Sequence, residues 1–348
     1  MSDLPTLYRR FPSLRETLPW LPLGERPTPV RMLGELSGSG EGPPVWLKDD
    51  GVFGTAWGGN KARKLEWVLA DVLARRRRTI LTVGALGTNH GLATALYARE
   101  HGIRTAIALV DQPIDEHVER QFERLARSGA RLHLTRGKYR TVAALPWLLA
   151  RNADPRRLRL PYFLTVGGSS PVGCLGYVDA GLELADQIAR GELPEPSHAV
   201  VALGSGGTAA GLLLGFRLGG LGTRVVAVLV NDRTKLEPRI VAHLARRTAR
   251  LLRRRGGAIP AVSLAADDVE VETRWLGAGY GHRTPEAERA RDLLRESEGL
   301  ALEPVYTAKA MAALLALRGE GALAPGPVLY WHTHNALPEA GGPGSGEA

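Results

Sequence analysis

The stretch HAVVALGSGGT, residues 198–208, joins an apolar run to a glycine-rich loop and indicates the fold of the chain. The apolar part, His198 to Leu203, predicts a buried strand, and the loop that follows predicts the start of a helix. Backbone N–H groups at such a helix start bind phosphate, and side-chain hydroxyls add further donors. The stretch therefore predicts a phosphate site made by Gly204, Ser205, Gly206, Gly207 and Thr208.

The same loop leaves a second interpretation open. Its glycine spacing, with Ala209 in the third position, fits a loose dinucleotide fingerprint. Asp232 lies about one strand further on, where such a site places its ribose contact. On this motif alone, an NAD-linked oxidoreductase remains an alternative.

Short apolar segments alternate with helical patterns along the chain. The predicted strands cover residues 79–83, 104–110, 131–135, 162–166, 198–203 and 224–230. The predicted helices between them cover about 92–101, 114–128, 139–151 and 174–190, and a glycine-bearing turn is predicted at 84–87. This alternation predicts an α/β fold with parallel sheets, and 348 residues are enough for two lobes.

Composition limits the classes of protein that the chain can belong to. The hydrophobic content of 44% is ordinary for a globular protein, and no run of apolar residues is long enough for a membrane span. The first residues lack a secretory pattern, and the single cysteine, Cys174, cannot form an internal disulfide, so we expect a cytoplasmic protein. The tail at 339–348 is rich in glycine and is expected to be disordered.

The net charge of +9 comes mainly from arginine, since only six of the 45 basic residues are lysine. The arginine runs at 75–78 and 253–255 follow helical patterns, where positive charge suits the helix dipole. No aromatic residues lie between these arginines, as a nucleic-acid surface would favour. We therefore expect solvated helix faces, with neither nucleic acid nor a membrane as partner.

The segment Gly58-Gly59-Asn60-Lys61 places a lysine at a predicted helix start. The positive end of the helix dipole disfavours an ammonium ion there and so favours the neutral amine. A neutral lysine amine is what Schiff-base chemistry requires. The alternative is a surface lysine after a turn, although this chain fills most of its basic positions with arginine.

Two further groups of polar residues are candidates for a binding site. Thr88-Asn89-His90 follows a predicted strand at a helix start, where the alternative role is an ordinary helix cap. Tyr280 and Tyr306 lie in turns rich in glycine or proline, where tyrosines more often serve packing. Neither group indicates a function by itself.

Taken in order, these segments resemble the 1-aminocyclopropane-1-carboxylate deaminase and D-cysteine desulfhydrase family. Its members are pyridoxal-phosphate (PLP) enzymes of the tryptophan-synthase-β-like fold. The resemblance runs from about residue 27 to residue 337, and its most specific match is GGNKARKLE at 58–66. Weaker matches occur at residues 46–50, 167–177, 204–208, 280–286 and 304–307.

The resemblance implies roles for individual residues. Lys61 would bind PLP and move protons, and Asn89 would contact the cofactor's 3′ oxygen or the substrate carboxylate. Thr88 stands where the family has a serine near the substrate, and Tyr280 and Tyr306 match two active-site tyrosines. Gly204 to Thr208 would hold the PLP phosphate, and Thr307 would face the pyridine nitrogen.

The implied architecture has two lobes with PLP between them. The larger lobe would comprise residues 1–64 and 171–338, and the smaller lobe residues 65–170. The implied reaction is α,β-elimination or deamination of a small amino acid, releasing ammonia and a 2-oxo acid, in a homodimer. A ring-opening deaminase of 1-aminocyclopropane-1-carboxylate and a homologue that binds PLP without turnover remain alternatives.

Two segments depart from the family pattern, and one residue distinguishes its branches. The family's Gln-Ser-Asn is here Gly87-Thr88-Asn89, and its His-Thr-Gly-Gly is here His332-Thr333-His334-Asn335. After the second tyrosine the cyclopropane deaminases carry glutamate, whereas Thr307 matches the desulfhydrase-like members. A neutral hydroxyl cannot stabilise a charged pyridinium, so we expect elimination of a thiolate or chloride to be favoured over cyclopropane opening.

Overall fold

The computed structural model describes residues 4–38, 42–155, 159–323 and 325–336, and these residues form two β-sheets with helices around them. The strands are β1 (Val30–Met32), β2 (Val45–Asp49), β3 (Thr79–Ala85), β4 (Arg104–Val110), β5 (Arg131–Arg136), β6 (Tyr162–Leu164), β7 (His198–Leu203), β8 (Arg224–Leu229), β9 (Val269–Glu272) and β10 (Val328–His332). The helices are α1 (Thr6–Arg10), α2 (Leu14–Thr17), α3 (Gly34–Gly38), α4 (Asn60–Ala74), α5 (Asn89–Glu100), α6 (Glu116–Arg127), α7 (Lys138–Arg151), α8 (Pro171–Ala189), α9 (Gly207–Gly219), α10 (Pro238–Arg254), α11 (Pro285–Glu298) and α12 (Thr307–Gly319). The expected disorder at 339–348 concerns residues outside the described ranges.

The smaller sheet has four parallel strands in the order β5-β4-β3-β6. Successive residues of a strand point to opposite faces, and here each face has its own core. Ile107 and Leu109 of β4 pack with α5 and α6, whereas Ala106 and Ala108 pack with Leu148 of α7. The sheet is thus covered on both sides, as parallel sheets require.

The larger sheet has six strands in the order β1-β2-β10-β7-β8-β9, and only the edge pair β1–β2 is antiparallel. Val201 of β7 packs in the core that includes α8, α9 and α10, whereas Val200 packs in the core that includes α11 and α12. The predicted α/β fold with parallel sheets is confirmed. None of the helices in the described ranges is long and apolar enough to cross a membrane.

Several predicted element bounds were wrong by two or three residues. The expected turn at 84–87 begins later, because Gly84 and Ala85 still pair with β4. The helix predicted from Leu92 begins at Asn89, since the Thr88 hydroxyl caps it by accepting from Gly91 N. The helix predicted from Cys174 begins at Pro171 after a similar cap by Ser170.

The division into two lobes stays a prediction. All four strands of the smaller sheet lie between residues 79 and 164, inside the predicted insertion. The predicted boundary between residues 64 and 65 falls within α4, which packs against both α5 and α8. Helix α4 therefore carries the predicted lysine motif at the junction of the two sheets.

Candidate active site

A cavity of about 320 Å³ lies where strands of both sheets end. Its lining includes Ala85 at the end of β3, Val110 at the end of β4, Leu203 at the end of β7 and Thr333 just after β10. Ligands of α/β proteins bind at the carboxyl ends of parallel strands. Nearly all of the predicted site residues line this one cavity: Lys61, Thr88, Asn89, Gly204, Ser205, Gly206, Thr208, Tyr280, Tyr306 and Thr307.

Lys61 is the second residue of α4, and its amine faces the cavity. Its Nζ lies 2.9 Å from Asn60 Oδ1. Burial lowers the pKa of Lys61 well below the ordinary value, and the positive charge of Lys64 lowers it further. The neutral amine that the sequence analysis expected is thus favoured, although burial rather than the helix dipole is the main cause.

The turn before Lys61 is held by the segment after β10. Asn60 N donates to Thr333 O at 3.1 Å, and Gly58 N donates to Asn335 Oδ1 at 2.6 Å. Gly59 has a φ of +89°, and a Cβ there would lie 2.5 Å from Thr333 O. Only glycine fits this position without strain.

His334 and Asn335, two of the departures from the family pattern, both line the cavity. Asn335 helps to hold the glycine turn before Lys61 by accepting from Gly58 N. Sequence patterns did not indicate this role, because 277 residues separate Asn335 from Gly58. Burial lowers the pKa of His334 to about 3, and the charges of His332, His117, Arg124 and Lys61 act in the same direction. His334 is therefore a neutral imidazole at neutral pH.

A buried ion network fixes the orientation of α4. Arg63 donates to Asp50 Oδ1 from Nε and to Glu183 Oε1 from Nη2, both at 2.9 Å. Lys48 donates to Glu183 Oε1 at 2.6 Å and is fully buried. Lys48 is thus committed to the network and does not line the cavity.

Lys64 is a site residue that the sequence analysis missed. It lies one helical turn after Lys61, lines the same cavity, and donates from Nζ to Gly167 O at 3.2 Å. Its Nζ would lie 3.0 Å from a Cβ placed on Gly207, which puts the amine beside the start of α9. Burial lowers the pKa of Lys64 to about 8. The i, i+3 spacing of two lysines in a chain with only six is the signal that could have found it.

The glycine loop at the start of α9 is closed by a serine from another segment. Gly206 adopts the left-handed conformation, with φ of +85°. Gly207 is not exposed to the cavity, and its N–H donates to Ser169 Oγ at 2.9 Å. Ser169 Oγ also lies 2.8 Å from Ser205 Oγ. Amides of a helix start, hydroxyl groups and the Lys64 amine form a donor set that fits a phosphate group.

The start of α5 brings Thr88, Asn89 and His90 to the lining of the cavity. The Thr88 hydroxyl acts as the helix cap, and Asn89 Oδ1 accepts from Gln121 Nε2 at 2.5 Å. His90 is buried, with Nε2 3.1 Å from Thr82 Oγ1. Burial lowers the pKa of His90 well below its usual value, and the amines of Lys61 and Lys64 lower it further when they are protonated.

The two predicted tyrosines meet each other in the cavity. Tyr306 donates from its hydroxyl to the Tyr280 hydroxyl at 2.8 Å, and burial raises the pKa of both phenols. Asp232, the ribose contact in the dinucleotide alternative, instead accepts from Tyr280 N at 3.1 Å and is not part of the cavity lining. Asp232 therefore holds the loop that carries Tyr280.

Thr307 is the first residue of α12, and its hydroxyl bonds to its own turn. It accepts from Glu303 N at 2.7 Å and donates to Glu303 O at 3.2 Å. The Glu303 carboxylate also lines the cavity, accepts from Val305 N and Tyr306 N, and has its pKa raised to about 7 by burial. Sequence reasoning missed this carboxyl group, which is the one acidic side chain among the described lining residues.

Comparisons with known proteins agree with this geometry. The family model described as "Pyridoxal-phosphate dependent enzyme" matches residues 21–334. The chain is 34% identical over 323 residues to a D-cysteine desulfhydrase of Salmonella choleraesuis (strain SC-B67), covering 91% of this chain and 94% of the relative. It is 33% identical over 327 residues to a D-cysteine desulfhydrase of Serratia proteamaculans (strain 568), with the same coverage. The crystal structure of an ACC deaminase homologue is similar to it with a TM-score of 0.79 and 29% identity, over 95% of each chain.

Proposed function

Because the chain belongs to the family of pyridoxal-phosphate-dependent enzymes, we propose that it catalyses α,β-elimination on a small amino acid, with D-cysteine as a substrate. The predicted cofactor, PLP, and the predicted class, a PLP-dependent lyase or deaminase, are confirmed by the family match and the relatives. The observation that carries the proposal is the Lys61 amine, whose pKa is lowered well below its ordinary value, in the same cavity as a donor set that fits a phosphate group. Thiolate would leave from D-cysteine, and addition of water would yield pyruvate and ammonia.

Different residues of the cavity would bind the cofactor and transfer protons. Lys61 would hold the cofactor and accept the proton from the substrate α-carbon, for which a neutral amine is needed. The loop Gly204 to Thr208, with Lys64, would bind the phosphate, and Asn89 at the start of α5 would bind the cofactor's 3′ oxygen or the substrate carboxylate. When bound, PLP supplies an electron sink for the bonds broken at the α-carbon.

The remaining predicted residues would act on the substrate and on the ring. Thr88 would lie beside the substrate, with its hydroxyl committed to capping α5. The paired hydroxyls of Tyr280 and Tyr306 would move a proton towards the leaving group. Thr307 would face the pyridine nitrogen with a neutral side chain, so loss of a good leaving group would be favoured over opening of a cyclopropane.

The test is a side-by-side assay of 2-oxo acid release from D-cysteine, β-chloro-D-alanine and 1-aminocyclopropane-1-carboxylate. We expect turnover of the first two and little or none of the third. Faster turnover of the cyclopropane substrate would overturn the argument from Thr307 and favour the activity named for the ACC deaminase homologue. An absorption spectrum before and after borohydride adds a direct check, since a protein that is not yellow would contradict the role of Lys61.

We also propose that the enzyme is a cytoplasmic homodimer. Cys174 is buried and is the only cysteine of the chain, which suits a reducing compartment. The dimer rests on the family resemblance alone. Analytical ultracentrifugation of the purified protein would test it, and a monomer at micromolar concentration would contradict it.

A further inference from the structure

One side of the cavity is apolar and has no role in the proposed binding of the cofactor. We call it the apolar wall, and it comprises Val83, Val110, Val142, Leu145, Phe163 and Val166. All six come from the smaller sheet, helix α7 or the segment after β6. The residues assigned above to the cofactor lie instead on α4, α5, α12 and the loop at the start of α9.

Helix α7 turns one continuous face towards this part of the cavity. Lys138, Thr141, Val142 and Leu145 all line it, at the i, i+3, i+4 and i+7 spacing of a single helix face. Leu145 and Val83 extend from the core between α7 and the smaller sheet, so the floor of the wall is rigidly packed. The wall is therefore a built surface of the fold.

Three side chains of the wall remain unusually open to solvent. Val142 is 64% exposed, Phe163 43% and Val166 42%. Large apolar side chains clustered in this way next to a reactive centre favour an apolar ligand group. The only charged side chain among the described residues of this face is Lys138, at its edge.

We propose that the preferred substrate carries an apolar group on its β-leaving atom, as an S-alkyl cysteine does, and that the apolar wall binds this group. The inference rests on the proposed function and names its substrate class. In the reaction the α-carbon–hydrogen bond breaks and its proton passes to Lys61, while the β-carbon–sulfur bond breaks and the sulfur leaves with the electron pair as a thiolate, which takes up a proton. The three-carbon remainder adds one water and yields pyruvate and ammonium.

A homologous series of substrates isolates the effect of the wall. S-methyl, S-ethyl, S-propyl and S-butyl cysteine, each in D and L form, release thiols of nearly equal acidity, so the chemistry of the leaving group is constant. An added methylene in an apolar pocket changes kcat/KM by about tenfold or more. We expect kcat/KM of the holoenzyme to rise by at least about tenfold from S-methyl to S-butyl.

Two variants of α7 assign the effect to the wall. Val142→Asp places a carboxylate on the wall and should remove the rise along the series. Tyr139→Asp is the matched control, because Tyr139 lies on the same helix, is 86% exposed and does not line the cavity. This control should keep the rise. Phe163→Ser tests the part of the wall that β6 contributes and should reduce the rise as well.

Equilibrium binding gives a readout that needs no turnover. D-norleucine should bind to the holoenzyme at least about tenfold more tightly than D-alanine in calorimetric titrations, and Val142→Asp should remove this difference. If kcat/KM stays constant from S-methyl to S-butyl cysteine while D-cysteine is turned over, the substrate class is wrong and the proposed function still holds. Absence of any 2-oxo acid would overturn the proposed function, and the binding comparison would still decide the role of the wall. If Val142→Asp instead converts a dimer into a monomer, the wall is a subunit interface and the inference is wrong.

Discussion

Replacement of Lys64 by methionine tests the proposed phosphate site most directly. Lys64 is 2% exposed, and its pKa is lowered from 10.5 to about 8 by burial. A shift of this size means that the protein without an anion loses about 3 kcal/mol of stability by holding the ammonium. Because the folded pKa is below the unfolded one, this loss is complete below pH 8 and disappears as the pH rises to about 10.5.

The substitution should therefore stabilise the cofactor-free protein. Lys64→Met removes the buried charge and also the hydrogen bond to Gly167 O, whose loss costs about 1 kcal/mol. We expect the free energy of unfolding at pH 7 to rise by about 2 kcal/mol. The rise in stability of the wild type between pH 8 and 10.5 should be smaller in the variant.

Binding of PLP should change in the opposite direction. A hydrogen bond to a charged group contributes about 1.5–3 kcal/mol, so loss of the Lys64 amine should raise the Kd of PLP by about 10- to 150-fold. Pyridoxal has no phosphate, and its Kd should change little.

The assay is a fluorescence titration of the apo protein with PLP and with pyridoxal, combined with urea unfolding at pH 7. Lys235→Met serves as the control, since Lys235 is 83% exposed, pairs with Glu237 and does not line the cavity. An equal loss of affinity for PLP and pyridoxal would refute the assignment of Lys64 to the phosphate. A less stable apo variant would refute the argument from the buried charge.

Three further predictions concern residues that line the cavity. Borohydride reduction and peptide mapping should find the pyridoxyl group on Lys61, and a label on any other lysine would contradict its role. Gly206→Asp should weaken PLP retention more than Gly206→Asn does. Both variants share the strain of a positive φ, but only the aspartate repels the phosphate. Equal retention of PLP by the two variants would argue against a phosphate at this loop. Asn335→Gly should lower the free energy of unfolding by about 1–3 kcal/mol, because Gly58 N loses its hydrogen-bond acceptor. Asn335→Asp keeps an acceptor, so its free energy of unfolding should fall less. Urea titrations of both variants measure the difference.

Much of the fold follows from local patterns in the sequence. The strands predicted at 104–110 and 198–203 have the observed bounds, because continuous apolar runs in a parallel sheet leave little choice of element. The predicted first residues of the helices were less accurate than the predicted strands. The helices that Thr88 and Ser170 cap begin three residues earlier than the apolar pattern predicts, since a cap depends on one side chain and not on periodicity.

Part of the candidate site could also be predicted from the sequence. Glycines before a helix, a lysine at its start and a strand followed by a glycine loop are local signals, and they led to Lys61 and to Gly204–Thr208. The choice of PLP over a dinucleotide did not follow from these signals alone. It came from the resemblance in the order of several motifs, which the family match over residues 21–334 confirms.

What the sequence by itself determined is the set of local elements and the reactive groups at their ends, because apolar periodicity, glycine and helix starts act over a few residues. Tertiary structure alone decided which distant groups act together. Ser169 closes the loop at Gly207, and Asn335 holds the turn at Gly58 from 277 residues away. Burial in the assembled cavity, more than any neighbour in sequence, lowers the pKa of Lys61 and of Lys64. These effects depend on the exclusion of water by packed elements, which exists only once the two sheets have come together.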